Sequence, residues 1–416
     1  MILRARAVLP ITGPLVSDGA VRLSGRRVVA VGKWRDLAGA RRDTVDLGDS
    51  VVLPGLINAH CHLDYTDMAG RIPPTRSFVD WLKVMTVTKA TWETEDFAAS
   101  WRNGAQALLE SGTTTVADIE AVPQLLPEAW QATPLRVISL LEMIGLTAKR
   151  PAVTLLRTAV EKIASLQHPR CRAGLSPHAP YTTLPELLRL AAAAAGKHRW
   201  LVCTHVAESA LEFAMFTRGE GEMFDWLQRS GRDMSDCGLG SPVAHLAKCG
   251  LLGKNLLAAH VNYLGRHDAA LLARNHVSVV HCPRSHAYFR HGQFLLRRLV
   301  RAGVNVCLGT DSLASIHKTR RHRVNLDLFA EMRALADRET WLSPKGILRL
   351  ATVNGARALG LPRLGGLAPN VLADLIALPF TGKPAHVYDS ILAHTGQVTA
   401  SMIDGRWAIP PPDSGS

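Results

Sequence analysis

Between Leu53 and Leu308 the chain alternates eight times between a short apolar run that reads as a strand and, in most intervals, a stretch with helical spacing. The runs are Leu53 to Ala59, Thr114 to Ile119, Arg136 to Leu141, Ala173 to Ser176, Trp200 to Thr204, Leu256 to Ala259, Val277 to Val280 and Val304 to Leu308. Helical patterns between them include Phe97 to Glu110, Leu184 to Ala195 and Ala269 to Arg274. Strands that alternate with helices pair in parallel, and eight such units close into a (β/α)8 TIM-type barrel. An open doubly wound sheet would be expected to carry a glycine-rich phosphate turn after its first strand. Leu56-Ile57-Asn58-Ala59-His60 has none.

The two chain ends have a different texture. Ile2 to Val8, Ala20 to Leu23 and Arg27 to Val31 read as short strands, separated by Gly13-Pro14, Asp18-Gly19 and Ser24-Gly25 turns. Ala373 to Leu378, Ser390 to Ala393 and Val398 to Ile403 read the same way. The expectation is a small, sandwich-like composite β domain from residues 1–52 and 365–416, flanking a barrel over 53–364. Pro410 to Ser416 reads as a disordered tail.

Composition narrows the partners. The formal net charge is +13, which alone fits a basic proteome as well as an anionic partner. The densest basic stretches, Arg284 to Arg301 and His317 to Arg323, carry no nucleic-acid motif. Seven cysteines without a Cys-x-x-Cys pair read as buried thiols, Cys61, Cys203, Cys282 and Cys307 in or beside strand-like runs. Met1 to Val8 lacks a signal-peptide core, and no uncharged apolar run is long enough to span a bilayer. The expectation is a cytoplasmic protein that acts on a small molecule, without nucleic acid or membrane, with a homodimer left open.

In a (β/α)8 barrel the chemistry gathers where the strands end. His60 and His62 end the first strand; two residues apart on extended chain, they share one face. His205 ends the fifth strand, His260 the sixth, His281 the seventh, and Asp311 follows the eighth. Each has an ordinary explanation alone: a strand-end His commonly serves the core, and Asp311 is well placed to cap a helix. Together at matching strand ends they point to metal. Three neutral imidazoles and one carboxylate suit one divalent ion, zinc first and iron second. Such an ion brings the pKa of a bound water toward neutrality. Asp311 can accept that water's proton, His260 can hydrogen-bond the water, and Glu208 can protonate a substrate atom beside the attacked carbon.

These residues lie in segments that carry a resemblance. Leu53-Pro54-Gly55-Leu56-Ile57-Asn58-Ala59-His60-Cys61-His62, His205-Val206-Ala207-Glu208, Ala259-His260, His281-Cys282-Pro283 and Gly309-Thr310-Asp311 are similar to the amidohydrolase superfamily, in its aminohydrolase branch. The resemblance implies a mononuclear site with His60, His62, His205 and Asp311 as ligands, and Glu208 and His260 as the acid/base and water-positioning pair. Binuclear branches use a carboxylated lysine on the fourth strand. Here that strand reads Ala173-Gly174-Leu175-Ser176-Pro177-His178, with no lysine.

Ser77-Phe78-Val79-Asp80-Trp81-Leu82, Ser176-Pro177-His178-Ala179-Pro180-Tyr181 and the stretch from His205 to Trp226 resemble the aminodeoxyfutalosine deaminases of an alternative menaquinone pathway. Related S-adenosylhomocysteine, methylthioadenosine and adenosine deaminases share some of these. The resemblance implies that Trp81 and His178 line the substrate pocket and that His281 supports it. Ser176 and Tyr181 are undecided, and Trp81 reads equally well as a helix core residue. His286 stands where the family usually has Asn, and segments 229–247 and 285–291 are also unusual. Arg284, Arg290 and Arg320 are candidates for a basic rim toward a carboxylate-bearing nucleoside. The expected reaction is hydrolytic deamination of an aminated heteroaromatic ring, with release of ammonia. Guanine deamination, triazine dechlorination, cyclic-amide opening and a catalytically silent metal-binding barrel are the alternatives.

Overall fold

The computed structural model describes residues 1–37, 43–147, 150–318 and 324–412. Arg320, one of the rim candidates, lies outside the described residues, as do 413–416 of the expected tail.

Two eight-stranded sheets organise the chain. In chain order the strands are β1 (Ile2–Val8), β2 (Val16–Ser24), β3 (Arg27–Lys33), β4 (Thr44–Asp46) and β5 (Ser50–Pro54). Then come β6 (Leu56–Cys61), β7 (Thr113–Glu120), β8 (Arg136–Met143), β9 (Arg172–Pro177), β10 (Val202–Val206), β11 (Leu256–His260), β12 (Ser278–His281) and β13 (Asn305–Leu308). The last three are β14 (Leu375–Pro379), β15 (Ala400–Ile403) and β16 (Arg406–Ile409). β6 to β13 pair in sequence order, all parallel, as a (β/α)8 barrel must. Most of their residues are buried, because helices cover the outer face and packed side chains fill the inner one.

The barrel closes through the segment after β13. The Thr310 and Asp311 amides both donate to the His60 carbonyl, at 3.0 and 3.1 Å. Asn58 takes the Thr310 amide at 3.1 Å and donates to the Thr310 hydroxyl at 2.8 Å. Gly309 makes this approach sterically feasible: a Cβ there would lie 2.7 Å from the His60 carbonyl oxygen.

The chain ends build the second sheet, in the order β16-β15-β14-β5-β1-β2-β3 with β4 added to β1. The sandwich-like unit read from the sequence takes the form of one connected sheet that branches at β1. Leu53 to Ala59, expected as one strand, is divided between the two sheets at Gly55. A Cβ at Gly55 would lie 2.2 Å from the Thr114 side chain, so the crossing strands meet where only glycine fits. Ser390 to Ala393 was expected as a strand; Ser390 to Leu392 belong to the helix Val387–Leu392 and Ala393 caps it. Val387 and Ile391, four apart, bury one helical face there; so short an apolar run carries no decisive period. All seven cysteines are buried thiols, and among the described residues no helix is long and apolar enough to cross a membrane.

Candidate metal centre and its pocket

Parallel strands deliver their C-terminal ends to one rim, and the predicted ligands meet there. His60 lies in β6, His62 just past it, His205 in β10, and Asp311 in the closing segment. One donor atom from each of the four falls within 4.8 Å of every other. The His62 and His205 Nε2 atoms are 3.2 Å apart, and Asp311 Oδ1 is 3.6 Å from the Nε2 atoms of both His60 and His62. Tetrahedral zinc, with bonds of about 2 Å, needs donor atoms about 3.3 Å apart. The tautomers suit this. His205 Nδ1 lies 2.9 Å from the His178 carbonyl; donating a proton there leaves Nε2 with a free lone pair. His60 Nε2 is buried with no hydrogen-bond partner. The donor set therefore fits a divalent cation.

The electrostatics favour neutral imidazoles at His62 and His205 facing an ionised carboxylate. Burial, with the charges of His178 and His60, pushes His205 down to about 3. Burial and the neighbouring His60 also hold His62 well below the usual imidazole range. Burial opposes ionisation of Asp311, but the close approach of His60 and the charges of His260 and His62 outweigh it and hold the carboxyl low. Glu208 goes the other way: burial, then the charges of Asp311 and Glu212, raise it well above a normal carboxyl and so favour its protonated form. Glu208 Oε1 sits 3.7 Å from His260 Nε2. Glu208, His260 and Asp311 form a second close-set group that shares Asp311 with the first.

Backbone strain concentrates at this rim. His260 has φ +73° and Asp311 φ +56°, both left-handed, which non-glycine residues seldom adopt. Two side chains that sequence reasoning missed steady the neighbourhood. Glu212 accepts the amides of Ala207 and Glu208 at 2.9 and 2.8 Å. Asn262 donates to the Glu208 carbonyl at 2.9 Å. Glu212 was findable: Ser209-Ala210-Leu211-Glu212 has capping-box spacing, and Ser209 does cap the helix Ala210–Arg218.

A cavity opens beside the donor group, lined by His62, His205, Glu208 and Asp311. Trp81 and His178 line it as well. Trp81 belongs to the helix Phe78–Ala90, where Phe78, Trp81, Leu82, Met85, Thr86 and Lys89 recur at helical spacing and all face the cavity. Tyr181 is another wall residue. His281 is not among the lining residues. Its ring stacks on Phe294 at 3.8 Å, and its carbonyl accepts the Gly309 amide at 3.0 Å beside the barrel seam. His286 sits next to it and faces Arg338, with Nδ1 3.3 Å from the guanidinium.

The unusual segments have structural work. In 229–247, buried Arg232 pairs with Asp236 and donates to the carbonyls of Pro180 and Tyr181, bracing the wall that carries Tyr181. In 285–291, Phe289 packs edge-on against Trp81 and Phe78. Arg284 is no free rim cation, because it pairs with buried Glu331. Arg290 is exposed.

Comparison with known proteins agrees with this geometry. The model of the amidohydrolase family matches residues 51–408. The 5-methylthioadenosine/S-adenosylhomocysteine deaminase of Syntrophobacter fumaroxidans is 34% identical over 95% of this chain and 89% of its own length. A zinc-bound adenosine deaminase from Xanthomonas campestris superposes with a TM-score of 0.82 at 27% identity, over 98% of this chain and 92% of that one. Helicobacter pylori aminofutalosine deaminase, in complex with methylthio-coformycin, superposes with a TM-score of 0.85 over 98% and 99% of the two chains. At 22% identity that likeness speaks for the fold.

Proposed function

The chain belongs to the amidohydrolase family, and from that premise we propose that it is a metal-dependent deaminase of 6-aminopurine nucleosides substituted at the 5′ position. The observation that carries the reading is a buried Glu208, its carboxyl raised above the ordinary range, beside a ready-made donor set of three imidazoles and one carboxylate.

An ion held by His60, His62, His205 and Asp311, zinc before iron, supplies Lewis-acid activation of the attacking water. The chain's own groups handle the protons. Glu208 gives its proton to the ring nitrogen next to the amino-bearing carbon, which makes that carbon electrophilic. His260, a neutral imidazole, hydrogen-bonds the incoming water and holds it in line. Asp311 accepts one proton of the water and passes it to the amine; ammonia then leaves the tetrahedral carbon as the carbonyl forms, and the remaining hydroxyl proton returns to Glu208. Trp81 and His178 hold the purine nucleoside over these groups, and His281 stiffens the seam behind them.

The resemblance of the pocket segments favours aminodeoxyfutalosine, and with it a menaquinone role and a cytoplasmic setting, as the narrow form of the proposal. The 34% identical relative weighs toward methylthioadenosine and S-adenosylhomocysteine. The site treats these alike, since they share the aminopurine and differ beyond the sugar. Ammonia release by the zinc-reconstituted protein, measured on these three nucleosides together with adenosine, guanine and cytosine, tests the reading. Turnover of at least one 6-aminopurine nucleoside is expected. No ammonia from any of them, at one zinc per chain, overturns it.

A further inference from the structure

Most buried carboxylates in this molecule are served by protein donors. Asp118 accepts the Leu63 amide and the Trp101 indole at 2.9 Å each. Asp64 accepts the Ala121 amide, Glu120 the Val122 amide, and Glu212 two amides. Glu142 differs. Its side chain is only 8% exposed, yet among the described residues no hydrogen bond ends on its carboxylate. Its nearest nitrogens are Lys89 Nζ at 3.9 Å and His178 Nε2 at 4.0 Å, both beyond hydrogen-bond reach. The other such carboxyl in the pocket is Glu208, to which the proposed chemistry assigns a proton transfer.

A largely buried carboxylate that faces a cavity without protein donors is left to the cavity's water or to a ligand that brings donors in its place. Glu142 is the next-to-last residue of β8 and lines the same cavity as the donor group. Lys89 reaches that cavity from the far end of the helical stripe and lies over the Tyr65 ring, 4.7 Å from its centroid. The pair is neutral as a whole, so it does not call for a charged ligand. What it lacks is a neutral group rich in O–H donors. A vicinal diol supplies two such donors to one carboxylate, and its oxygens can accept from the Lys89 ammonium.

We propose that Glu142, with Lys89 beside it, is a specificity-determining residue that binds the sugar hydroxyls and restricts this site to ribonucleosides. This rests on the nucleoside-deaminase reading above. A site built to hydrogen-bond a hydroxyl rejects the analogue that lacks it, because its own polar groups are left unpaired.

The test is an enzyme–substrate cycle on the zinc-loaded full chain. Ammonia release is measured for methylthioadenosine, its 2′-deoxy and 3′-deoxy analogues, and adenine, with wild type and with the isosteric Glu142→Gln. Wild type should favour the ribonucleoside by about tenfold to a hundredfold in kcat/KM. In Glu142→Gln the KM for the ribonucleoside should rise by a similar factor. The deoxy analogues and adenine should change less than about threefold, so the preference collapses. Lys89→Met, at the partly exposed helix end, should erode the preference in the same direction and serves if Glu142→Gln folds poorly. A variant that slows all substrates equally, or keeps the wild-type preference, overturns the assignment while leaving the deaminase reading intact. Wild-type protein that releases no ammonia from any nucleoside overturns both.

Discussion

The two ends of the barrel carry cavities of very different size, and the larger one has the weaker claim to chemistry. At the strand starts an opening of about 920 Å³ is lined by Arg172, Arg199, Lys254 and Arg357. All four are exposed, and none forms an ion pair among the described residues. At the strand ends a cavity of about 140 Å³ holds His62, His205, Glu208 and Asp311. The small end has buried groups whose proton affinities are pushed in opposite directions, donor atoms without protein partners, and left-handed backbone at His260 and Asp311. The large end has exposed cations without ion pairs; left-handed backbone occurs there too, at Arg199 and His276, so the difference lies in the buried groups. Function follows the density of constrained, desolvated groups rather than the volume available.

That contrast can be broken at several points. The largest effect is expected from the shared carboxylate. Asp311→Asn should lose bound zinc, seen by metal analysis, and lower kcat by at least about a thousandfold. An active, fully metallated Asp311→Asn protein would remove the basis for the small cavity's priority. Next comes Glu208→Gln, which should retain zinc but lose about a hundredfold to ten-thousandfold in kcat. Because the acid form of Glu208 is the working one and its pKa is raised, wild-type activity should fall on the alkaline side as Glu208 ionises, at a pH above the ordinary carboxyl range. A pH–rate profile without that alkaline limb in kcat/KM contradicts the assignment. Glu212→Ala, which frees the amides of Ala207 and Glu208, should cost about 1–3 kcal/mol in denaturant unfolding, with a smaller loss of turnover than Glu208→Gln. The smallest effect belongs to the other end. Arg199→Gln combined with Lys254→Gln should shift stability by no more than about 0.5 kcal/mol and leave kcat/KM within a factor of about two. A large loss of activity there would mean that the wide basal cavity takes part after all.

The barrel was legible because its strands are buried on both faces and read as near-continuous apolar runs, with turn residues and helical spacing between them. The four donor residues were legible for the same reason, since a strand's end is visible in the sequence and its destination follows from the fold. Glu142 and Lys89 were not. Glu142 looks like the polar residue that closes an apolar run, and Lys89 like the last-turn cation of any helix. Their meeting depends on the helix Phe78–Ala90 lying across the mouth of the barrel, which no local pattern encodes. The split at Gly55 was missed because Leu53 to Ala59 is uniformly apolar, and sheet exchange leaves the period unchanged. His281 was assigned to the pocket as a strand-end residue, through the family resemblance. The stacking partner that turns it from the cavity, Phe294, lies 3.8 Å from it in space but in a loop with no strand signature.

The seam between β6 and β13 also fixes when the site can exist. Asn58 and Thr310 are separated by 252 positions, and the His60 carbonyl they flank is held by the same late segment that carries Asp311. During synthesis His60 and His62 leave the ribosome early and wait for seven further strands and then Asp311. Contacts this distant in sequence form late and slowly, since the loop entropy must be met before the contact repays it. The first and last strands of the barrel therefore complete the donor set in the same event that closes the cylinder. Appearance of zinc affinity in a refolding time course would report the final topological step of folding itself.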